Sequence, residues 1–164
     1  QGIALHDINF CRPYTTLAVT KVSSVISDPV NGTSNPKAIP GALIEYLITV
    51  SNTGSDNTDG NTVIITDDAP ADAKMCLANL AGPGSGPVLF SSGSPASGLG
   101  YSFVALGNTT DNLQFSADGG TTWNYTPTPD ADGCDPAVSD FRVSPTGVLI
   151  AGRAATVRAQ FMVK

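Results

Sequence analysis

Chemistry in this chain would have to come from few residues. One histidine, His6, and three cysteines, Cys11, Cys76 and Cys134, are its only imidazole and thiol groups. His6 belongs to an amino-terminal arm, where it cannot readily join a Ser or Cys and a carboxylate of the body. Neither a GxSxG elbow nor a phosphate-cradling glycine loop occurs, so a nucleophilic triad has no ready members. Carboxylates cluster at Asp67-Asp68 and at Asp130, Asp132 and Asp135. Glycosidase-type work needs two carboxyls across a cleft with separated pKa values, which closeness in sequence does not supply, and these groups read as turn formers. The expectation is a protein that is not an enzyme.

The 130–135 run has a second reading. Asp130, Asp132 and Asp135 surround Gly133, and such oxygens can gather Ca2+, a hard ion that takes about six to eight of them. The later bidentate glutamate of an EF-hand loop is missing. The run 56–61, Asp-Asn-Thr-Asp-Gly-Asn, has similar chemistry, although Asx and Gly are equally what any tight turn needs. Beyond this candidate Ca2+ no cofactor is expected. Three cysteines without CxxC spacing do not make a zinc site. In an exported chain a disulfide is the better use of them. Cys76 and Cys134 both fall inside the body and Cys11 is left over; three reduced thiols are the alternative.

Strands must position these groups. Charged residues make up only 13% of the 164, so Ser, Thr, Asn and Gly fill the polar positions, a bias that suits strands and turns and starves helices. The alternation of Ile44, Tyr46, Ile48 and Val50 with their neighbours predicts a strand over 43–50, closed by the turn 51–54. At the other end Val157, Ala159, Phe161 and Val163 alternate with Thr156, Arg158, Gln160 and Met162, which predicts a final strand at the half-buried edge of a sandwich. Further strands are expected near 17–22, 63–66, 74–80, 88–90, 101–106, 113–116, 121–125 and 141–143. Gly119 and Gly120 supply the positive φ for a tight hairpin between 113–116 and 121–125. Trp123, on that hairpin, is either a core aromatic or a surface residue. Short strands with turn signals between them, and no segment of helical period, argue for two packed antiparallel sheets.

Residues 1–12 form the arm and 13–164 the domain. The arm carries Ile3, Leu5, Ile8 and Phe10, four large apolar side chains that a solvated tail would not expose. Either the arm is the first strand of its own sandwich, or it leaves and completes a neighbour's sheet, a head-to-tail contact that propagates. Cys11 would then lie where subunits join and could staple them. The net charge of -6 and scattered Lys and Arg disfavour nucleic acid, and no apolar run approaches the ~20 residues of a bilayer span. The chain starts at Gln1 rather than Met, the state left by removal of a signal peptide, so export to the cell surface is expected.

Several segments look familiar in order and spacing: Val19-Thr20-Lys21; Ile39-Pro40-Gly41; Ile44-Glu45-Tyr46 running into Val50-Ser51-Asn52-Thr53-Gly54; and Val63-Ile64-Ile65-Thr66-Asp67 with Pro70 after it. They resemble the prokaryotic surface-protein repeat known as domain of unknown function eleven. Leu80-Ala81-Gly82, the Asp118-Gly119-Gly120 turn and the run 129–133 resemble its single-copy bacterial members. The likeness spans about residues 17–164. It implies an immunoglobulin-like fold, export, and service as a stalk, envelope or filament building block, with no catalytic residues to carry over. Cys134 stands where an aromatic is more usual and Cys76 is likewise outside the motif; two such departures together favour a bond between them. The expectation is therefore an all-β, immunoglobulin-like antiparallel sandwich with an extended arm, a subunit of an extracellular homopolymer. The rival is a secreted or cell-surface adhesion module holding a glycan or Ca2+ through the glycine-rich loops of 82–100 and the Asp130 loop.

Overall fold

A computed structural model describes residues 12–164, which form strands and no helix. The long strands are β1 (Leu17–Ser27), β2 (Leu43–Asn52) and β11 (Ala154–Val163). Between the last two lie β3 (Ile65–Asp68), β4 (Ala73–Cys76), β5 (Val88–Ser91), β6 (Leu99–Gly100), β7 (Leu113–Ser116), β8 (Cys134–Asp135), β9 (Asp140–Val143) and β10 (Thr146–Gly147).

β2 and β11 are the spine of the first sheet. Ile48 and Val50 of β2 and Ala155, Val157, Ala159 and Phe161 of β11 are buried, whereas Arg158 is exposed and Thr156 and Gln160 are half-buried. The two-residue period thus sends one row of each strand to the core. They pair antiparallel from Ala154 opposite Ser51 to Met162 opposite Leu43. β1 pairs with the other edge of β2, beginning with Leu17 opposite Asn52, and bulges between Val25 and Ser27. The second edge of β11 is divided: β5 takes its first half, β4 takes its end, and β8 continues from β4. The expectation that the final strand is an edge is therefore corrected. Alternation reports which faces are wet and says nothing of lateral neighbours, and β11 has strands on both sides.

The second sheet has the order β3-β9-β7, all antiparallel. Ile65, Val143 and Leu113 lie in one row across it, Phe141 and Phe115 in the next, and all five are buried. Phe141 meets Phe161 of the first sheet with ring centroids 6.5 Å apart, and Phe161 meets Tyr46 edge-on at 5.4 Å. One apolar core thus joins the two sheets. Fully burying each such aromatic or aliphatic side chain stabilises by about 1.5–3 kcal/mol. β6 and β10 make a separate two-stranded ribbon.

Two expected strands are absent, for the same physical reason. Along 101–106 the backbone is held by side chains: Asn112 Oδ1 accepts from Ser102 N at 2.7 Å and Asp111 Oδ2 from Val104 N at 2.8 Å. Asx side chains here replace a ladder. Along 121–125 only Tyr125 bridges to Phe115. The turn before it is built on Asp118, whose carboxylate accepts from Thr122 N, Thr122 Oγ1 and Ser116 Oγ at 2.7–2.8 Å. Those bonds, that of Thr122 N first, pull the Asp118 carboxyl down to about 2. Trp123 is half-buried outside the core, with the Arg142 guanidinium 4.6 Å from its ring.

Asn52, 1% exposed, ties the end of β2 to two loops. Its Nδ2 donates to Asp56 O (2.7 Å) and Leu149 O (3.0 Å), and its Oδ1 accepts from Gly54 N (3.0 Å). An alanine would leave the buried Leu149 carbonyl without this donor, at about 1–3 kcal/mol, and would lose the two half-buried bonds to Asp56 O and Gly54 N. Asn52→Ala is expected to lower unfolding free energy by about 3 kcal/mol in urea titration. A loss below about 1 kcal/mol would remove the residue from this role.

Candidate functional site

Leu17, Val19 and Lys21 occupy alternate positions of β1 opposite Asn52, Val50 and Ile48, the core-facing row of β2. They should be covered as their partners are. Instead Leu17 is 45% and Val19 64% exposed. Among the described residues the second sheet has three strands, and its outermost strand, β3, leaves this corner of the wider first sheet uncovered. A groove of about 200 Å³ runs between the β1 and β3 edges, floored by Ile48 and Val50 and walled by Leu17, Val19, Ile64 and Ile65. Ile64 is 60% exposed. An engineered cavity of about 150 Å³ holds benzene, so this space suits about two branched aliphatic side chains.

One end of the groove is polar. Lys21 Nζ donates to Asp67 Oδ1 at 2.6 Å, joining β1 to β3, and lies 4.4 Å from the centroid of the Tyr46 ring. Asp67 Oδ2 is buried with no hydrogen-bond partner among the described residues. The Asp67-Asp68 pair, expected in a turn, lies on β3, whose alternation of buried Ile65 and Asp67 with exposed Thr66 and Asp68 is that of a strand. Asp68 lies opposite Asp140 of β9, and that neighbouring carboxylate raises the Asp68 carboxyl above its ordinary value.

At the other end the chain enters β1. Thr16 O accepts from Thr53 N at 2.8 Å, and Tyr14 O from Ser55 N at 2.8 Å and Asp56 N at 3.0 Å. Residues 14–16 therefore continue the line of β1 beyond the groove. A Cβ on Gly54 would come within 2.6 Å of Thr16 N and collide with Tyr14 O, so glycine is required for this approach. The expected donor residues Ile3, Leu5, Ile8 and Phe10, and Cys11 with them, lie outside the described residues.

The acidic loop has a cation of its own. Lys74 Nζ binds Asp130 Oδ2 at 2.6 Å and also pairs with Asp132. The ammonium holds the Asp130 carboxyl below the usual carboxylate range, and the two carboxylates raise Lys74 in return. Asp135 is turned elsewhere: it is buried and accepts from Tyr125 Oη (2.9 Å), Thr128 N (2.7 Å) and Ala137 N (2.8 Å). The three expected Ca2+ ligands are thus not brought together, and among the described residues no three His, Cys, Asp or Glu side chains gather as a metal site. In the 56–61 run, Asn57 and Asn61 accept from Ala151 N and Gly147 N, and Thr58 from Leu149 N, so this loop is fastened to 147–151. Cys76 and Cys134, opposite one another on β4 and β8, form a disulfide spanning 58 positions.

Sequence reasoning placed the contact in the arm and missed the groove that could receive one. The available signal was Leu17 and Val19 at alternate positions of an expected strand, but alternation alone does not show that cover is missing. Comparison with protein-family models, curated proteins and solved structures found no match for the chain.

Lys74→Met should destabilise the fold at neutral pH and weaken its acid sensitivity. Asp130 is depressed, so its contribution is present above the ordinary carboxylate value and lost as pH falls through the folded one; that of Lys74, which is raised, is lost only in strong alkali. Chelator should leave the melting temperature of the unaltered protein in place, and a chelator-induced fall would restore the Ca2+ reading. Reducing the disulfide should cost about 4 kcal/mol on the chain-entropy model, checked by chemical denaturation with and without reductant.

Proposed function

We propose that this protein is an extracellular structural subunit: an exported, immunoglobulin-like two-sheet sandwich that joins its neighbours head to tail by adding an amino-terminal strand to the next subunit. The observation that carries this reading is the bare inner face of β1, where Leu17 and Val19 are exposed in the row whose partners Val50 and Asn52 are buried. A finished domain covers such a row, and an unfinished one gains free energy when an apolar strand arrives.

Three further features support it. The arm holds the apolar residues Ile3, Leu5, Ile8 and Phe10 within its first ten positions. The disulfide suits an oxidising compartment outside the cytosol. The segments that resemble domain of unknown function eleven point to service at a prokaryotic cell surface. No group of side chains described above has the arrangement of a nucleophile with its base, and the role is assigned to assembly rather than catalysis. A head-to-tail contact of this kind does not close on itself, so its product is a homopolymer.

Sedimentation and negative-stain microscopy of the full chain should show concentration-dependent oligomers or fibres. The variant Ile3→Asp/Leu5→Asp/Ile8→Asp/Phe10→Asp should be a folded monomer. A full chain that stays monomeric at every concentration, or a variant that assembles as well as the parent, overturns the proposal.

A further inference from the structure

We infer that the groove between β1 and β3 is the acceptor site, and that Ile3 and Leu5 of a second copy are the side chains it receives, their strand lying along the free edge of β3. This inference rests on the strand-addition reading and adds the address and register of the contact.

Three observations converge on the groove. Its lining is aliphatic where Leu17, Val19, Ile48 and Ile65 meet, and its volume of about 200 Å³ matches about two branched side chains. Its walls are two sheet edges: among the described residues β3 pairs only with β9, and β1 only with β2, so their outer sides offer backbone donors and acceptors to an incoming strand. Its polar end is marked by the Lys21–Asp67 pair, which ties the two edges together and fixes the groove's width there.

Reach selects the register. Ile3 and Leu5 are two apart, so both point to one side of an extended strand, and seven or more positions separate them from Arg12, where the described body begins. At about 3.3 Å per residue this gives some 20 Å to cross between two bodies. Were Ile8 and Phe10 the inserted pair, Phe10 would stand two positions from Arg12, which leaves about 7 Å to cross between two bodies. Direction selects the second copy over the chain's own arm. Residues 14–16 are fixed against 53–56 and lead away from the groove, and Pro13 keeps Arg12 extended in the same sense.

The test is complementation between two full-length variants. Ile3→Asp/Leu5→Asp has a spoiled arm and an intact groove; Val19→Glu/Ile64→Glu has an intact arm and a spoiled groove, at two positions already more than half exposed and so tolerant of charge. Each alone should sediment as a monomer. Mixed in equal amounts they should give a species of twofold mass that grows no further, because each half lacks what the next addition needs. If Val19→Glu/Ile64→Glu assembles alone like the parent, the groove is not the acceptor although strand addition stands; if the parent itself never assembles, the underlying reading fails. A mixture that stays monomeric overturns the inference. In a Cys11→Ser background, Leu5→Cys/Val19→Cys should crosslink between chains, and a bond formed within a single chain overturns docking onto a second copy.

Discussion

Two sheets of unequal width must share one core, and most of what is distinctive in this molecule descends from that inequality. The layer built on β1, β2 and β11 is wider than the three-stranded layer of β3, β9 and β7 set against it. Where the layers overlap, Phe115, Phe141 and Phe161 are sealed from water; at the β1 corner, valine and leucine of the same row are wet. Apolar surface left in water costs about 25 cal/mol per Å². The bare corner thus costs the isolated domain stability that a covering partner would return.

The rest of the surface is stabilised by a different device. Loops that would lack backbone partners receive them from short polar side chains: Asn52 and Thr58 toward Leu149, Asn61 toward Gly147, Asn112 toward Ser102. Asp28 does the same for the turn after β1, accepting from Val30 N, Asn31 N and Lys37 N, and these bonds hold its carboxyl far below its ordinary value. The scarcity of charged residues has its counterpart here, because hydroxyls and amides close to the backbone do the work that ion pairs do on many other proteins.

That device also explains what could be read from the sequence. β2 and β11 were legible because a two-residue apolar period runs along most of their ten residues, whereas β7 and β9, four residues each, show only two apolar positions apiece. The segment 101–106 misled because Tyr101 and Phe103 suit a strand, whereas the backbone between them is claimed by Asn112 and Asp111, whose reach no local pattern displays. β6, β8 and β10 are two residues each, too short for any period. The pairing of Cys76 with Cys134 was suggested by position and resemblance, and its register became visible only with β4 against β8. At the acidic loop the carboxylates were legible and their counter-ion was not, since Lys74 lies 56 positions from Asp130. The groove was the least legible feature, for it is made by what β3 fails to cover.

β1 and β11 flank β2, and because each runs antiparallel to it, they point the same way. The start of β1 therefore lies at one end of the sheet and the finish of β11 at the opposite end. Tension applied at Leu17 and Lys164 would draw neighbouring strands past one another lengthwise. Rows of hydrogen bonds loaded in shear must give way together, whereas a ladder peeled from its tip yields one rung at a time, so a pull between these two points loads the first sheet in its most resistant direction.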